Sequence, residues 1–147
     1  MRLLIVEDNS FLAEVTAELL NSLDPPMQQF EAITIASDLQ TAILRLPEHD
    51  AVLCDGMFPV SPHSRFVVED WDVIRHAARQ RGIHFVLYSG SVRALDCARK
   101  DHTPALAKPA PIEEIYAALT HQGLFTHSKG GYGESVVMAE SQNMAGE

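Results

Sequence analysis

The chain begins with the segment LLIVEDN, Leu3–Asn9, in which four aliphatic residues run directly into Glu7 and Asp8. An apolar run this short and uniform predicts a strand that is covered on both faces, as in a parallel sheet. Because the strand ends in two adjacent carboxylates, its carboxyl end is predicted to open onto a polar site.

Strand and helix patterns alternate from this segment as far as Gly123. Apolar residues recur at helical spacing after Asn9, and Asp24-Pro25-Pro26 ends that helix. Because strands joined by helices run parallel, the sequence predicts an α/β fold. The expected architecture is a doubly wound five-stranded parallel sheet of flavodoxin-like order 2-1-3-4-5 with helices on both faces. The further predicted strands are Phe30–Ala36, Ala51–Cys54, Ile83–Tyr88 and Ala105–Ala107.

The same patterns predict the character of individual segments. Residues Pro59–Ser64 are expected to be irregular. The apolar stripe of the first helix is expected to be buried, and it consists of Phe11, Leu12, Val15, Leu19, Leu20 and Leu23.

Length and composition favour one domain, since the chain has 147 residues of which 46% are apolar and 21% charged. The domain is predicted to cover residues 1–123. Residues 124–147, rich in glycine and polar side chains, are predicted to form a flexible C-terminal tail, with a docking peptide or added strand at Val136–Met138 as the less favoured alternative. No segment resembles a signal peptide or a membrane span, so a cytoplasmic protein without membrane contact is expected.

Charge and cysteine content exclude several classes of function. The formal net charge is −9 and the 11 basic residues are scattered, so direct binding to nucleic acid is not expected. Cys54 and Cys97 have no metal-site spacing and are predicted to be buried free thiols. Dinucleotide-binding and P-loop glycine motifs do not occur in the sequence.

Polar residues fall at the carboxyl ends of the predicted strands. Glu7 and Asp8 follow the first strand, Asp55 the third, Ser89 the fourth and Lys108 the fifth. Because the crevice of such a sheet lies between strands one and three, the acids are expected to meet there. Crowded carboxylates repel one another unless a cation binds, and a site of oxygen ligands suits Mg²⁺. The lysine and the serine would complete a cradle for a tetrahedral anion, which indicates phosphoryl chemistry.

These motifs resemble the receiver domain of bacterial two-component response regulators. The matching pieces are LLIVEDN, AVLCDGMFP with Asp55 and Pro59, VLYSG with Ser89, and AKP with Lys108. The resemblance implies that Asp55 is the nucleophile that accepts a phosphoryl group from a histidine kinase or phosphotransfer protein. It also implies that Lys108 pairs with Asp55 and then with the phosphoryl oxygens, which Ser89 would hydrogen-bond.

The resemblance implies a metal site as well. Mg²⁺ would be bound by Asp8, Asp55 and the backbone carbonyl of Met57, with Glu7 nearby through water. The Lys108-Pro109 peptide bond is commonly cis in this family, an isomer that proline tolerates.

The sequence departs from the family pattern at three places. The interval from Ser89 to Lys108 is short, so the fourth helix, around Leu95, is expected to be stunted. Ala105 stands where the family usually carries a switching Tyr or Phe, and strand alternation is expected to point Tyr88 away from Ser89, which disfavours Tyr88 as a substitute. The segment Pro59–Glu69 is lengthened. It is interpreted as a tolerated loop insertion or, less favoured, as a partner-specific lip with contacts at Phe66–Val68.

The leading hypothesis is a stand-alone response regulator that is phosphorylated on Asp55 and changes its affinity for a downstream protein target. It would catalyse its own phosphoryl transfer without being a turnover enzyme, and Met57 predicts slow autodephosphorylation. One alternative is a receiver-like binding module independent of phosphorylation, which Ala105 favours. Another alternative is a small Mg²⁺-dependent phosphatase with an Asp nucleophile. The segment DGM, Asp55–Met57, has no second Asp after Asp55, which disfavours this alternative. The sequence does not name the kinase, the target or the oligomeric state.

Overall fold

The computed structural model describes residues 1–25, 27 and 30–120. These residues belong to two compact units, one of Met1–Phe85 and one that begins at Val86. The predicted tail 124–147, including Val136–Met138, lies outside the described residues, as does Gly123. Within the described part of the chain, no helix combines the length and the apolar character that crossing a bilayer needs.

Three parallel strands lie in the first unit, and the acids of the sequence motif follow two of them. They are β1 (Arg2–Val6), β2 (Ala32–Ala36) and β3 (Ala51–Cys54). β1 pairs in parallel with β2 on one side and with β3 on the other. Leu3–Val6 and all of β3 are buried, which confirms that the opening aliphatic run is a strand covered on both faces.

Side-chain caps begin the first two helices. α1 (Ser10–Asn21) follows Asn9, whose side-chain oxygen accepts the N–H of the third helical residue. α2 (Leu39–Arg45) follows Asp38, whose carboxylate accepts both the N–H and the hydroxyl of Thr41 at 2.8 Å. These caps satisfy N–H groups that have no partner inside the helix.

A small antiparallel hairpin occupies the lengthened segment after β3. It consists of β4 (Phe58–Pro59) and β5 (Val67–Val68), which pair with each other. The prediction of an irregular segment was therefore wrong in part. Strands of two residues are too short to show alternation in a sequence, so the pattern gave no sign of them.

The third helix, α3 (Trp71–Gln80), follows this hairpin. Trp71 and Ile74 are buried, and the indole stacks on Phe85 with ring centroids 6.3 Å apart. Gly82 lies just beyond the helix with φ of +69°, a conformation that glycine adopts without steric cost.

The second unit contains the carboxyl end of β6 (His84–Ser89) and β7 (Ala105–Ala107), which pair in parallel. It also contains α4 (Val92–Lys100) and α5 (Ile112–Thr120). α4 has nine residues, against 12 in α1 and ten in α3. The connections before and after it are brief, and a fourth helix that is stunted relative to the family stays a prediction.

The five longer strands form one parallel sheet in the order β2-β1-β3-β6-β7. When the two hairpin strands are counted apart, this is the flavodoxin-like order 2-1-3-4-5 that the sequence predicted. The α/β fold class is confirmed.

The apolar stripe predicted for α1 is buried only in part: Leu20 is buried, and Val15 and Leu23 are half-buried. Ala13 and Leu20, two turns apart, are the buried residues of this helix. Phe11, Leu12 and Leu19 are exposed, with Phe11 at 72%. The helix carries apolar residues on more than one face, and periodicity alone does not show which face packs on the sheet.

The two cysteines differ in environment. Cys54 is a buried free thiol, as predicted, whereas Cys97 is a free thiol that is exposed. The prediction for Cys97 was wrong because the buried residues of α4 are Ala94, Leu95 and Ala98. Cys97 therefore lies on the solvent side of the helix.

Two neighbouring leucines test which face of α1 is buried. Leu20 is 0% exposed and Leu19 is 48% exposed. We expect Leu20→Ala to lower the free energy of unfolding by about 2 to 5 kcal/mol, because it leaves a cavity. Leu19→Ala should lower it by less than about 1 kcal/mol. Urea denaturation followed by circular dichroism measures both, and equal losses would contradict the assignment of the faces.

Candidate functional site

The register of β1 against β3 places two of the acids. Val6 pairs with Cys54, so the next residues, Glu7 and Asp55, leave the two strands side by side. The N–H of Glu7 donates to the carbonyl of Ala36 at 3.0 Å, and the N–H of Asp55 donates to the carbonyl of Val6 at 2.9 Å. The hydrogen bonds of the sheet therefore continue to both acids and fix their backbone.

Glu7, Asp8 and Asp55 form an acid cluster, in which one carboxylate oxygen of each lies within 4.8 Å of the others. Glu7 is buried, Asp55 is half-buried and Asp8 is exposed. Three carboxylates at this separation repel one another unless a cation or a proton neutralises part of the charge. Since every donor is a hard oxygen, the cluster fits a divalent cation such as Mg²⁺. The sequence prediction that these three acids meet is confirmed.

Backbone N–H groups orient two of the three carboxylates. The N–H of Gly56 donates to Oδ1 of Asp55 at 2.7 Å, and the N–H of Asn9 donates to Oε2 of Glu7 at 3.2 Å. Hydrogen bonds to an ionised acceptor are stronger than neutral ones. The bond from Gly56 therefore restricts rotation of the Asp55 carboxylate.

Met57 leads from the acid cluster into the hairpin. Its side chain is exposed, and its carbonyl as a metal ligand stays a prediction. Beyond β4, the carbonyl of Val60 accepts the N–H of Gln40 at 2.9 Å, which ties the lengthened segment to the start of α2. The segment is thus anchored at both the hairpin and α2, while Phe66 near its far end is 80% exposed.

Ser89 and Lys108 meet in the second unit. The N–H of Lys108 donates to the carbonyl of Ser89 at 3.0 Å, just beyond the paired part of β6 and β7. The Ser89 hydroxyl is buried and accepts the N–H of Ser91 at 3.0 Å. Ser91 in turn caps α4 by accepting the N–H of Ala94. The strand end and the helix start therefore hold Ser89 rigidly beside the lysine backbone.

Tyr88 contacts Lys108, which sequence reasoning missed. The ammonium nitrogen of Lys108 lies 5.4 Å from the centroid of the Tyr88 ring. The Tyr88 hydroxyl accepts the N–H of Ala110 at 3.2 Å. Alternation along the strand predicts only that Tyr88 and Ser89 point in opposite directions. It does not show that the long lysine side chain at the end of the neighbouring strand can reach the Tyr88 ring. The Lys108-Pro109 peptide is cis, as the resemblance implied.

The predicted site residues thus form two groups. The three acids meet in the first unit, and Ser89 and Lys108 meet in the second. That both groups serve one phosphoryl group stays a prediction. Ala105 is half-buried in β7 opposite Leu87, and neither residue is aromatic.

Comparisons with known proteins identify the fold. No protein-family model and no curated protein matches the chain. A DNA-binding response regulator of the LuxR family from Staphylococcus aureus is similar, with a TM-score of 0.61 and 18% identity, over 82% of this chain and 96% of that one. The non-phosphorylated HemR receiver domain from Leptospira biflexa has a TM-score of 0.58 and 17% identity, over 88% and 98% of the two chains. The phosphorylated cyanobacterial phytochrome response regulator RcpA has a TM-score of 0.55 and 14% identity, over 82% and 89%.

These structures show that the chain has the fold of a response-regulator receiver domain. At identities of 14% to 18% the likeness concerns the fold alone. The residues of the site determine its chemistry.

Repulsion within the acid cluster predicts an unusual effect of a neutral substitution. In buffer with EDTA, Asp8→Asn should raise the melting temperature by roughly 1 to 3 °C, because it removes one of three crowded charges. Mg²⁺ should stabilise the wild type more than this variant. Differential scanning calorimetry measures both effects. The control is Asp24→Asn, which removes an exposed carboxylate outside the cluster; a lower melting temperature for Asp8→Asn than for this control would contradict the prediction.

Proposed function

We propose that this chain is a response-regulator receiver that accepts a phosphoryl group on Asp55 from a phosphohistidine donor. The donor is a histidine kinase or a phosphotransfer protein, and phosphorylation changes the affinity for a protein target. The observation that carries the proposal is the acid cluster, with carboxylate oxygens within 4.8 Å, where β1 and β3 of a receiver fold end.

The chemical step is a displacement at phosphorus. A carboxylate oxygen of Asp55 forms a bond to phosphorus as the phosphorus–nitrogen bond of the donor histidine breaks. The electron pair of that bond stays on the imidazole nitrogen, which takes up a proton, and an acyl phosphate remains on Asp55. Such transfer needs mainly positioning and charge neutralisation. The hydrogen bond from Gly56 to Oδ1 of Asp55 supports the positioning.

Positive charge is required because the phosphoryl group approaches three carboxylates. Mg²⁺ held by Asp8, Asp55 and the Met57 carbonyl, with Glu7 nearby through water, would neutralise charge on the phosphoryl oxygens when bound. The all-oxygen donors of the acid cluster support this choice of ion. In the proposal, Lys108 and Ser89 bind the phosphoryl oxygens directly, as an ammonium and a hydroxyl donor.

Exposed apolar side chains support a protein partner. α1 exposes Phe11, Leu12 and Leu19, and the hairpin segment exposes Phe66 and Val67. Large apolar side chains grouped at a surface are typical of protein interaction sites. The net charge of −9 would favour a partner with a basic surface.

Phosphorylation of Asp55 is tested with a small-molecule donor. Incubation with acetyl phosphate and Mg²⁺ should add one phosphoryl group to the wild type and to Asp24→Asn, and none to Asp55→Asn, because only Asp55 is the nucleophile. Intact mass spectrometry measures this. An unmodified wild type would contradict the proposal and favour the phosphorylation-independent binding module. Continuous release of phosphate from a phosphomonoester would favour the phosphatase.

The lifetime of the acyl phosphate tests the role of Met57. The exposed thioether two residues after Asp55 should hinder the attacking water, so the phosphoryl group should persist well beyond seconds. Met57→Asn should hydrolyse several-fold faster, because an amide can hydrogen-bond that water. The matched control is Val60→Asn, also exposed in the same segment. Loss of radioactive label after donor removal measures the rates, and equal rates in Met57→Asn and the wild type would refute the role of Met57.

A further inference from the structure

Tyr88 makes two contacts on either side of Pro109. Its ring lies 5.4 Å from the Lys108 ammonium, and its hydroxyl accepts the N–H of Ala110 at 3.2 Å. The ring face of an aromatic residue attracts a cation at this distance. The hydrogen bond holds the outer end of the same ring. One side chain thus contacts both the lysine side chain and the backbone that follows it.

The backbone around Lys108 is fixed, but its side chain has four rotatable bonds. The N–H of Lys108 donates to Ser89 at 3.0 Å, and Tyr88 pairs with Leu106 in the register of β6 and β7. These contacts place the Cα of Lys108 and leave its ammonium to be placed by side-chain contacts. A lysine side chain is long and flexible, and its contact with the Tyr88 ring restricts the region that the ammonium occupies.

We propose that Tyr88 is a positioning residue for Lys108. The ring holds the ammonium near the carboxyl end of β7, and the hydrogen bond to Ala110 holds the ring. The inference rests on the proposed function, in which Lys108 binds the phosphoryl oxygens. Prior placement of the ammonium lowers the entropic cost of that binding, so Tyr88 affects the rate without touching the phosphoryl group.

Two variants separate the contacts of Tyr88. Tyr88→Phe keeps the ring and removes the hydrogen bond to Ala110, whereas Tyr88→Leu removes both. Loss of a partly exposed cation–π contact should lower the second-order rate constant for phosphorylation by acetyl phosphate by about two- to five-fold in Tyr88→Leu. Tyr88→Phe should retain most of the wild-type rate, because the ring still faces the ammonium.

Lysine NMR signals report the contact independently of phosphorylation. The chain has three lysines, Lys100, Lys108 and Lys129, so ¹³C-lysine labelling gives a simple spectrum, and Lys108→Arg assigns the signal of interest. Protons above an aromatic face resonate upfield. The ε-CH₂ protons of Lys108 should be shifted upfield in the wild type and Tyr88→Phe and should move to the ordinary position in Tyr88→Leu. The signal of Lys100, which is exposed, should stay unchanged. Far-ultraviolet circular dichroism of both variants shows whether they are folded.

The outcomes separate this inference from the proposed function. If the wild type is phosphorylated on Asp55, equal rates in the wild type and Tyr88→Leu overturn the inference, whatever the lysine signals show. A slower rate with an unchanged Lys108 signal also overturns it, because the loss would then be structural. If the wild type is not phosphorylated, the proposed function fails, and a Lys108 signal at the ordinary position in the wild type overturns the positioning contact as well.

Discussion

The candidate site depends on the register in which β1 pairs with β3. Val6 lies beside Cys54, so both strands end level and deliver Glu7 and Asp55 to adjacent positions. A slip of one residue would turn every side chain of a strand to the opposite face. The buried aliphatic residues of both strands resist such a slip. Burial of apolar surface in these strands also offsets the electrostatic cost of gathering three carboxylates.

In the second unit, strand pairing also places two residues of the candidate site, but it fixes the lysine only at its backbone. The pairing of β6 with β7 brings the backbone of Ser89 and Lys108 into contact, and the cap of α4 holds the serine hydroxyl. The lysine ammonium lies at the end of a flexible side chain, where side-chain contacts decide its position. The solved receiver structures share the fold of this chain at 14% to 18% identity. The fold places the ends of the strands, whereas the side chains at those ends decide the chemistry.

The sequence predicted the strands and the acid cluster because both are local signals. A short aliphatic run ending in a polar residue identifies a buried strand and its carboxyl end, as at Val6 and Cys54. Packing is not local, and the predictions that depended on it were less accurate. α1 has more apolar residues than one face can bury, so Phe11 was assigned to the core although it is exposed.

Two features left no readable signal in the sequence. The hairpin strands are Phe58–Pro59 and Val67–Val68. Each has only two residues, which is too few to show the alternation of apolar and polar residues that identifies a strand. The contact of Tyr88 with Lys108 joins residues 20 positions apart through a long side chain and a ring. Only the register of two strands and the direction of both side chains reveal it.

A crystal structure of the chain with Mg²⁺ and beryllofluoride, a phosphoryl mimic, tests most directly whether the two groups of residues serve one reaction. Beryllofluoride should be attached to Asp55, with the ammonium of Lys108 and the hydroxyl of Ser89 about 3 Å from its fluorine atoms. If beryllofluoride is attached to Asp55 while Lys108 and Ser89 point elsewhere, the proposal that both groups of residues bind one phosphoryl group is contradicted. If beryllofluoride is not attached to Asp55, the proposal that Asp55 accepts the phosphoryl group is contradicted.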